Sequence, residues 1–334
     1  MSIAIATDCG RPVPRDFVEL PTATRRFFGA EPPRPGADPP RIWALANDHA
    51  YVMGITNPKG FGKTWVGISE GSNPVELIRS RVELFPEDRT WTIQPMNIPP
   101  GRYFPRMARP NHQHPGDFPM PFYPGDFAHE RASASIQIAT LADRLRVCFQ
   151  VVGPSEPNFG VFGGEFRNIL LLAATEVEAQ WKAILRANGY DAKKANSRWS
   201  TKDYHKLEAA LRLSDYAIEF PEYPWLQPVA PFRGWSPPNT TGSIPWYDAY
   251  NLVKHDREQH GHQATLIRSL EAVAAVVVMG VAQFGITFVR QAPRWRDLFQ
   301  VREYPRWSIG DTHGNIYVEG DELAGEPISY PFPK

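Results

Sequence analysis

The sequence predicts an α+β protein: a β-rich, loop-rich N-terminal region, then a helical bundle, then a short C-terminal β hairpin. Three observations predict it. Short apolar runs broken by prolines fill the first part of the chain. From Phe166 onward the apolar residues fall at three- and four-residue spacing, the period of a helix with one buried face. Near the end the pattern alternates again, at Asn315-Ile316-Tyr317-Val318 beside Gly310 and Gly320, which suits a hairpin. The corresponding division is residues 1–160, 161–292 and 293–334.

Taken in order, residues 1–40 carry Pro12, Pro14, Pro21, Pro32, Pro33, Pro35, Pro39 and Pro40 and read as an extended arm. Ile42 to Leu45, Tyr51 to Ile55 and Trp65 to Ile68 read as strands, with Asn57-Pro58-Lys59-Gly60 as a turn. Val75 to Phe85 suits a short helix. Residues 98–127 read as loop, with the phrase Pro-Gly-Asp-Phe at Pro115 and again at Pro124. Ser133 to Thr140 and Leu145 to Val152 alternate and predict two strands of a hairpin around Ala142-Asp143-Arg144.

After Gly163-Gly164 comes a helix whose stripe is Phe166, Leu170, Ala173, Val177, Trp181 and Ile184. Glu178 precedes Lys182 by one helical turn on the side read as exposed, the favourable order for an ion pair. Asn188-Gly189 supplies a left-handed stop. A shorter helix fits Lys202 to Leu211, and the prolines and aromatics of 214–240 predict an ordered excursion. The next helix starts after Ser243 with Pro245 in its first turn and is expected to run to about Glu258. Gly261 separates it from a long apolar helix that ends before Pro293.

Composition narrows the function classes. Thirty-six basic residues balance thirty-six acidic ones, so any nucleic-acid site must be a local patch and not a global field. Apolar content of 42% and charged content of 22% are those of a globular chain with a real core. Cys9 and Cys148 are too few and too distant for a disulfide scaffold or a thiolate metal site, which fits a reducing compartment. The start, from Met1 to Asp8, has neither a basic region nor a sustained apolar stretch, so no signal peptide is expected and the cytoplasm is the expected location. Ala272 to Val289 carries no formal charge and reaches the lower length of a membrane span. Its alanines, Gly280, Gln283 and Gly285, and its lack of leucine favour the buried central helix of a bundle, and no membrane partner is expected.

The helix from Trp246 holds the best functional candidates. Trp246, Ala249, Tyr250 and Val253 form its apolar face. Asp248, Asn251, His255, Glu258 and His262 follow at spacings of three and four and form a polar stripe if the helix continues that far, bordered by Lys254 and Arg257. A solvated helix face explains such a stripe equally well. The chemical reading makes His255 a general acid or base, because imidazole ordinarily titrates near ~6.5. Lys254 and Arg257 would then stabilise an anionic group and Asn251 would orient it.

The string Trp246-Tyr247-Asp248-Ala249-Tyr250-Asn251-Leu252-Val253-Lys254-His255-Asp256-Arg257, with the apolar helix after it and Phe166 to Glu178 before it, resembles a HEPN domain. That family is a small helical bundle, and many members are metal-independent ribonucleases in toxin, anti-phage and CRISPR settings. Its signature is an Arg, four residues, then His, often with Asn directly after the Arg. Asn251 and His255 match, whereas the Arg position holds Tyr250. The resemblance spans Glu165 to Val289. It implies an RNA-directed, defence-associated protein that needs no metal or other cofactor and forms a homodimer through its helical bundle. If it cleaves RNA, His255 acts at the 2′-hydroxyl, with Lys254 or Arg257 against the phosphate in place of the missing Arg. The other reading is a non-catalytic binding or oligomerisation protein, and Tyr250 favours it.

Weaker signals accompany these. Gly60-Phe61-Gly62-Lys63-Thr64 approaches a phosphate loop but has Asn57 where the first glycine belongs. His112, His114 and His129 near Asp117, Asp126 and Glu130 have metal-ligand chemistry, though turn formation explains the aspartates better. Arg294, Arg296, Arg302 and Arg306 alternate with Trp295, Phe299, Tyr304 and Trp307. That suits base stacking, and better still aromatic anchors covered by arginine stems.

Overall fold

The computed structural model describes residues 17–18, 26–31, 41–45, 49–53, 61–67, 73–82, 91–99, 102–109, 127–190, 199–290, 292–313 and 326–333. The chain divides into two compact units. One comprises Met1–Tyr103, Arg109–Gly125 and Arg306–Pro327, the other Phe104–Ala108, Asp126–Pro305 and Ile328–Lys334. Strands and helices are both abundant, so the α+β class holds.

The first unit is built on an antiparallel sheet. Its strands are β1 (Phe17–Val18), β2 (Arg26–Glu31), β3 (Arg41–Leu45), β4 (His49–Met53), β5 (Phe61–Gly67) and β6 (Thr92–Pro95), in the order β1-β5-β4-β3-β2-β6. The three strands expected between residues 42 and 68 are present, as is the short helix α1 (Pro74–Val82). The proline-rich arm contains more order than its composition suggested: β2 lies between β3 and β6, with Phe28 opposite Trp43. It earns that place by burial. Phe28, Ala30, Trp43, Ile78 and Trp91 form a core, with Val75, Leu77 and Ile93 packed against it. Prolines outside a strand do not stop the residues between them from pairing. Gly62, Lys63 and Thr64 lie within β5, where Gly62 pairs with Val52 and Lys63 with Tyr51, so they form no phosphate loop.

In the same unit β7 (Arg102–Tyr103) pairs in parallel with β10 (Glu326–Pro327). His313 is buried here, its backbone N–H donating to the Arg109 carbonyl at 3.0 Å. The Arg109 guanidinium lies 4.3 Å from the centre of the Trp307 ring. Burial, then the positive Arg109, push the His313 imidazole down to about 3.

The second unit is a helical bundle. Its first helix, α2 (Ala128–Phe149), overturns the expected hairpin over 133–152. The Ser-Ile-Gln-Ile run mimics alternation. The buried residues Ala134, Ile138, Leu141, Ala142, Leu145, Cys148 and Phe149 follow a helical period, and no glycine marks a turn at Ala142-Asp143-Arg144. Glu130 in the first turn and Arg146 in the last complement the helix dipole.

Helix α3 (Gly164–Ala187) buries all six residues of its expected stripe. It ends as read from the sequence, at Gly189 with φ +71°. The region read as one helix from Lys202 divides into α4 (Thr201–Tyr204) and α5 (Lys206–Leu211). A capping box between Ser200 and Asp203 starts α4. After β8 (Ala217–Glu219) the ordered excursion leads to α6 (Pro245–His255), with Pro245 in its first turn as expected. The excursion is tied down by tryptophans: Trp235 Nε1 donates to the Thr240 carbonyl and Trp246 Nε1 to the Pro231 carbonyl, both at 2.8 Å.

The polar-stripe helix is shorter than expected. It stops at His255, and Asp256 (φ −144°, ψ 86°) opens a separate turn, α7 (Arg257–His260), by accepting from the Gln259 N–H. Asp256 is a good N-cap, so the backbone restarts there and does not continue.

Helix α8 (Leu266–Phe284) packs against α2, α3 and α6, and from Ala272 to Phe284 every residue is buried. It is the one helix among the described residues long and apolar enough to cross a membrane, and the bundle encloses it. It ends at Gly285 (φ 78°) before α9 (Thr287–Arg290). A buried polar chain crosses the bundle: Arg106 Nε donates to Gln283, Gln283 Nε2 to Gln180 and Gln180 Nε2 to Glu176, each at 2.8 Å. Burial lowers the Arg106 guanidinium from its ordinary value, partly offset by Glu130 and Glu176.

The described strands of the C-terminal tail do not pair with each other. β9 (Gln300–Glu303) pairs with β8, and β10 with β7. Asn315 to Val318, where the hairpin was expected, lie outside the described residues. The arginine-aromatic stretch acts as anchor and cover. Trp295 and Phe299 are fully buried, Arg294 pairs with Asp143 at 3.1 Å, and Arg302 lies 3.9 Å from Glu219.

Candidate functional site on the α3 and α6 helices

Pro245 pre-sets the first turn of α6, and burial of Trp246, Tyr247, Ala249, Tyr250 and Val253 fixes its rotation. Tyr250 therefore points into the bundle. Its hydroxyl accepts a 2.8 Å hydrogen bond from Lys254 Nζ, which also lies 4.9 Å from the centre of the Tyr250 ring. That hydrogen bond, acting against desolvation, raises the Lys254 ammonium above its ordinary value, with the Tyr250 and Glu178 charges adding to it.

The other expected residues do not converge. Asn251 donates to the carbonyl of Tyr247, one turn back on its own helix, at 2.8 Å, so its amide is not orienting His255. His255 is exposed at the end of α6, and Arg257 is exposed beyond the break. Among the described residues neither side chain makes a hydrogen bond or ion pair. Asp248 is half-buried, Glu258 is exposed, and exposed His262 lies beside Gln263 at 3.0 Å. The structure thus brings together Lys254 and Tyr250 alone, and leaves Asn251, His255 and Arg257 outside that group.

A cluster that the sequence reading missed lies beneath. The Tyr247 hydroxyl donates to Glu178 Oε1 at 2.7 Å, and Lys182 Nζ lies 3.5 Å from Glu178 Oε2. Glu178 is not on an exposed face: its side chain keeps 16% of its surface. Burial, then the Glu178 charge, pushes the Tyr247 phenol far up, so it remains a proton donor. The same two causes raise the Tyr204 phenol. Trp181 holds this cluster in place. It stacks on Trp235 at 5.1 Å and meets Tyr204 at 5.0 Å and Tyr247 at 5.4 Å. The signal available in the sequence was the Glu178–Lys182 spacing. Its partner Tyr247 lay in a different helix and had no local mark.

Of the histidine and carboxylate group weighed for metal, His129 and Glu130 lie in the first turn of α2. His112, His114, Asp117 and Asp126 lie outside the described residues. Among the described residues no cluster of three or more His, Cys, Asp or Glu side chains has metal-holding geometry.

Chemically, the surface offers a Lys254 ammonium held on a phenol and a solvent-facing imidazole at His255. An ammonium can bind an anionic oxygen, and an imidazole can exchange a proton. Comparison with protein-family models, with curated proteins and with solved structures finds no match for this chain.

Proposed function

We propose that this protein is a HEPN-like, RNA-directed binding protein, with residues 161–292 as the HEPN-like part of its helical bundle and the Lys254–His255 end of α6 as its contact to the RNA phosphate. One observation carries this reading. The position that the family fills with a phosphate-stabilising Arg is a buried tyrosine, and the positive charge has moved to Lys254, which Tyr250 holds at the surface. A lysine is a compact point charge, suited to contacting phosphate without the bidentate geometry of Arg. His255 lacks a partner among the described residues that would orient it for proton transfer, which favours binding over cleavage.

Cleavage is the second reading, and the Asn251–His255 spacing of the motif favours it. Here His255 removes the 2′-hydroxyl proton while Lys254 meets the phosphate charge, with no metal and no other cofactor. A reducing, cytoplasmic location rests on the two distant cysteines, and a defence role follows from the resemblance. So does a homodimer through the bundle. Ile136, Val147, Phe162 and Leu172 are exposed apolar residues on or beside α2 and α3. Arg144 of α2 and Glu165 of α3 pair at 2.5 Å between the same two helices.

The test is incubation of the full chain with total RNA in EDTA, with binding and cleavage read separately, for wild type and His255→Ala. Binding without cleavage supports the first reading. Chelator-resistant cleavage that His255→Ala lacks establishes the second. Wild-type protein that neither binds nor cleaves varied RNAs sinks both.

A further inference from the structure

The helical unit carries a groove that is already occupied by a peptide of this chain. Residues 328–333 cross the end of α3 with alternate side chains turned to the protein. Ile328, Tyr330 and Phe332 are half-buried, and Ser329, Pro331 and Pro333 are exposed, the period of an extended peptide lying on a surface. Tyr330 meets Phe104 at 5.1 Å and Phe332 meets Tyr190 at 5.6 Å, both edge to face. The Tyr330 N–H donates to Asn188 Oδ1 at 3.1 Å, and the Lys206 ammonium donates to the Pro333 carbonyl. Gly189 permits the close approach, because a Cβ there would stand 3.3 Å from the Ser329 hydroxyl. The floor of this groove is held without the peptide. Asn188 is buried, and its amide nitrogen donates to the Pro105 and Ile184 carbonyls, both at 2.9 Å. The Tyr190 hydroxyl donates to Asp203 at 2.9 Å, and its ring meets Trp199 at 6.2 Å. The acceptor and the ring that receive the peptide are therefore set by the bundle itself.

We propose that this groove is a docking site for a peptide of a partner protein, and that residues 328–333 occupy it in cis as a competing strap. The seated strap defines the chemistry of the partner: an extended segment with two aromatic residues at alternate positions and proline between and after them. Alternate aromatics reach the Phe104 and Tyr190 rings. Proline pre-sets the extended backbone, so less entropy is lost on docking. Asn188 and Lys206 read a main-chain N–H and a main-chain carbonyl, groups that a peptide from another chain also presents. A tethered occupant weakens the apparent affinity of a free one in proportion to the fraction of time the groove stands open, so the strap sets how readily the partner binds. The proposal is independent of the RNA reading, since no residue of the groove belongs to the Tyr250–His255 motif.

The experiment measures fluorescence anisotropy of a labelled, amide-capped peptide of residues 327–333, Pro-Ile-Ser-Tyr-Pro-Phe-Pro, titrated with the full chain. Wild type is compared with the strap variant Tyr330→Ala/Phe332→Ala, and with that variant carrying Tyr190→Ala/Lys206→Ala in addition. The strap variant should bind the peptide at least about tenfold more tightly than wild type, because its groove is no longer mostly closed. Adding Tyr190→Ala/Lys206→Ala should remove that binding, and a control peptide with Tyr330→Ala and Phe332→Ala should not bind. Thermal unfolding checks that each variant is folded. A folded strap variant that does not bind the peptide overturns the proposal, and so does binding that Tyr190→Ala/Lys206→Ala leaves unchanged. If the strap variant does not fold, hydrogen exchange on the wild-type chain decides. Strap amides should exchange faster than those from Ala173 to Val177 in α3, and equally slow exchange would make the strap a fixed part of the core and overturn the proposal. Light scattering tests the other occupant. A dimer that forms with rising concentration and is lost in the strap variant would identify a second copy's strap in the groove and overturn the partner peptide.

Discussion

The Tyr247 hydroxyl meets the Glu178 carboxylate at 2.7 Å across 69 residues of chain, and this bond ties α6 to α3 directly below the candidate surface. A hydrogen bond to a charged group in a half-closed environment contributes more than a neutral one. Tyr247→Phe should therefore destabilise the helical unit by about 1.5–3 kcal/mol. Urea unfolding followed by far-UV circular dichroism measures it. A double-mutant cycle with Glu178→Gln should return a coupling energy of similar sign, and strictly additive effects would show that the pair is not coupled.

The buried chain from Arg106 through Gln283 and Gln180 to Glu176 predicts a second cost. Gln283→Leu preserves volume but leaves the Arg106 guanidinium and the Gln180 carbonyl short of a partner inside the bundle. The loss expected is about 1–3 kcal/mol, without any change in RNA binding. An equally stable variant would mean that water replaces the glutamine.

Gly280 is required for packing. A Cβ at this position would run into the Phe288 ring, which is itself held by Phe284 at 5.5 Å and Trp295 at 5.5 Å and has no room to give way. Gly280→Ala should lower stability by about 1–3 kcal/mol, the usual scale of overpacking. Adding Phe288→Leu should recover part of that loss, and a double variant no better than the single would argue against the clash.

His313 gives the first unit a pH dependence. Its folded value of about 3 lies below the ordinary 6.5, so the unfolded chain takes up a proton that the native state refuses. Stability from this group is fully present above pH 6.5 and is lost as pH falls toward 3. The loss approaches about 1.4 kcal/mol per pH unit within that window. Denaturant midpoints across the window, compared with His313→Gln, should show a flatter profile in the variant. A parallel pair of profiles would assign the acid sensitivity to other groups.

Much of the fold was legible because its signals are local. The period of Phe166 to Ile184, the glycine at 189 and the proline at 245 each constrain a few neighbouring residues, and the structure uses all three as read. β3, β4 and β5 were visible for the same reason. α2 was not, because an alternating Ser-Ile-Gln-Ile run satisfies both periods over four residues. Only packing against α8 and α3 selects the helical one. β2 was hidden among prolines, although its partners β3 and β6 supply the pairing.

The candidate site divides in the same way. Sequence alone determined which residues α6 turns inward, Tyr250 among them, because helical spacing sets that face. Tertiary structure alone decided that Glu178 is enclosed by Tyr247, that Lys254 is held on Tyr250, and that the polar stripe stops at Asp256. Helical spacing determines which direction a side chain leaves its own axis. What it meets there depends on residues that the chain brings back from far along its length, and no local pattern encodes that meeting.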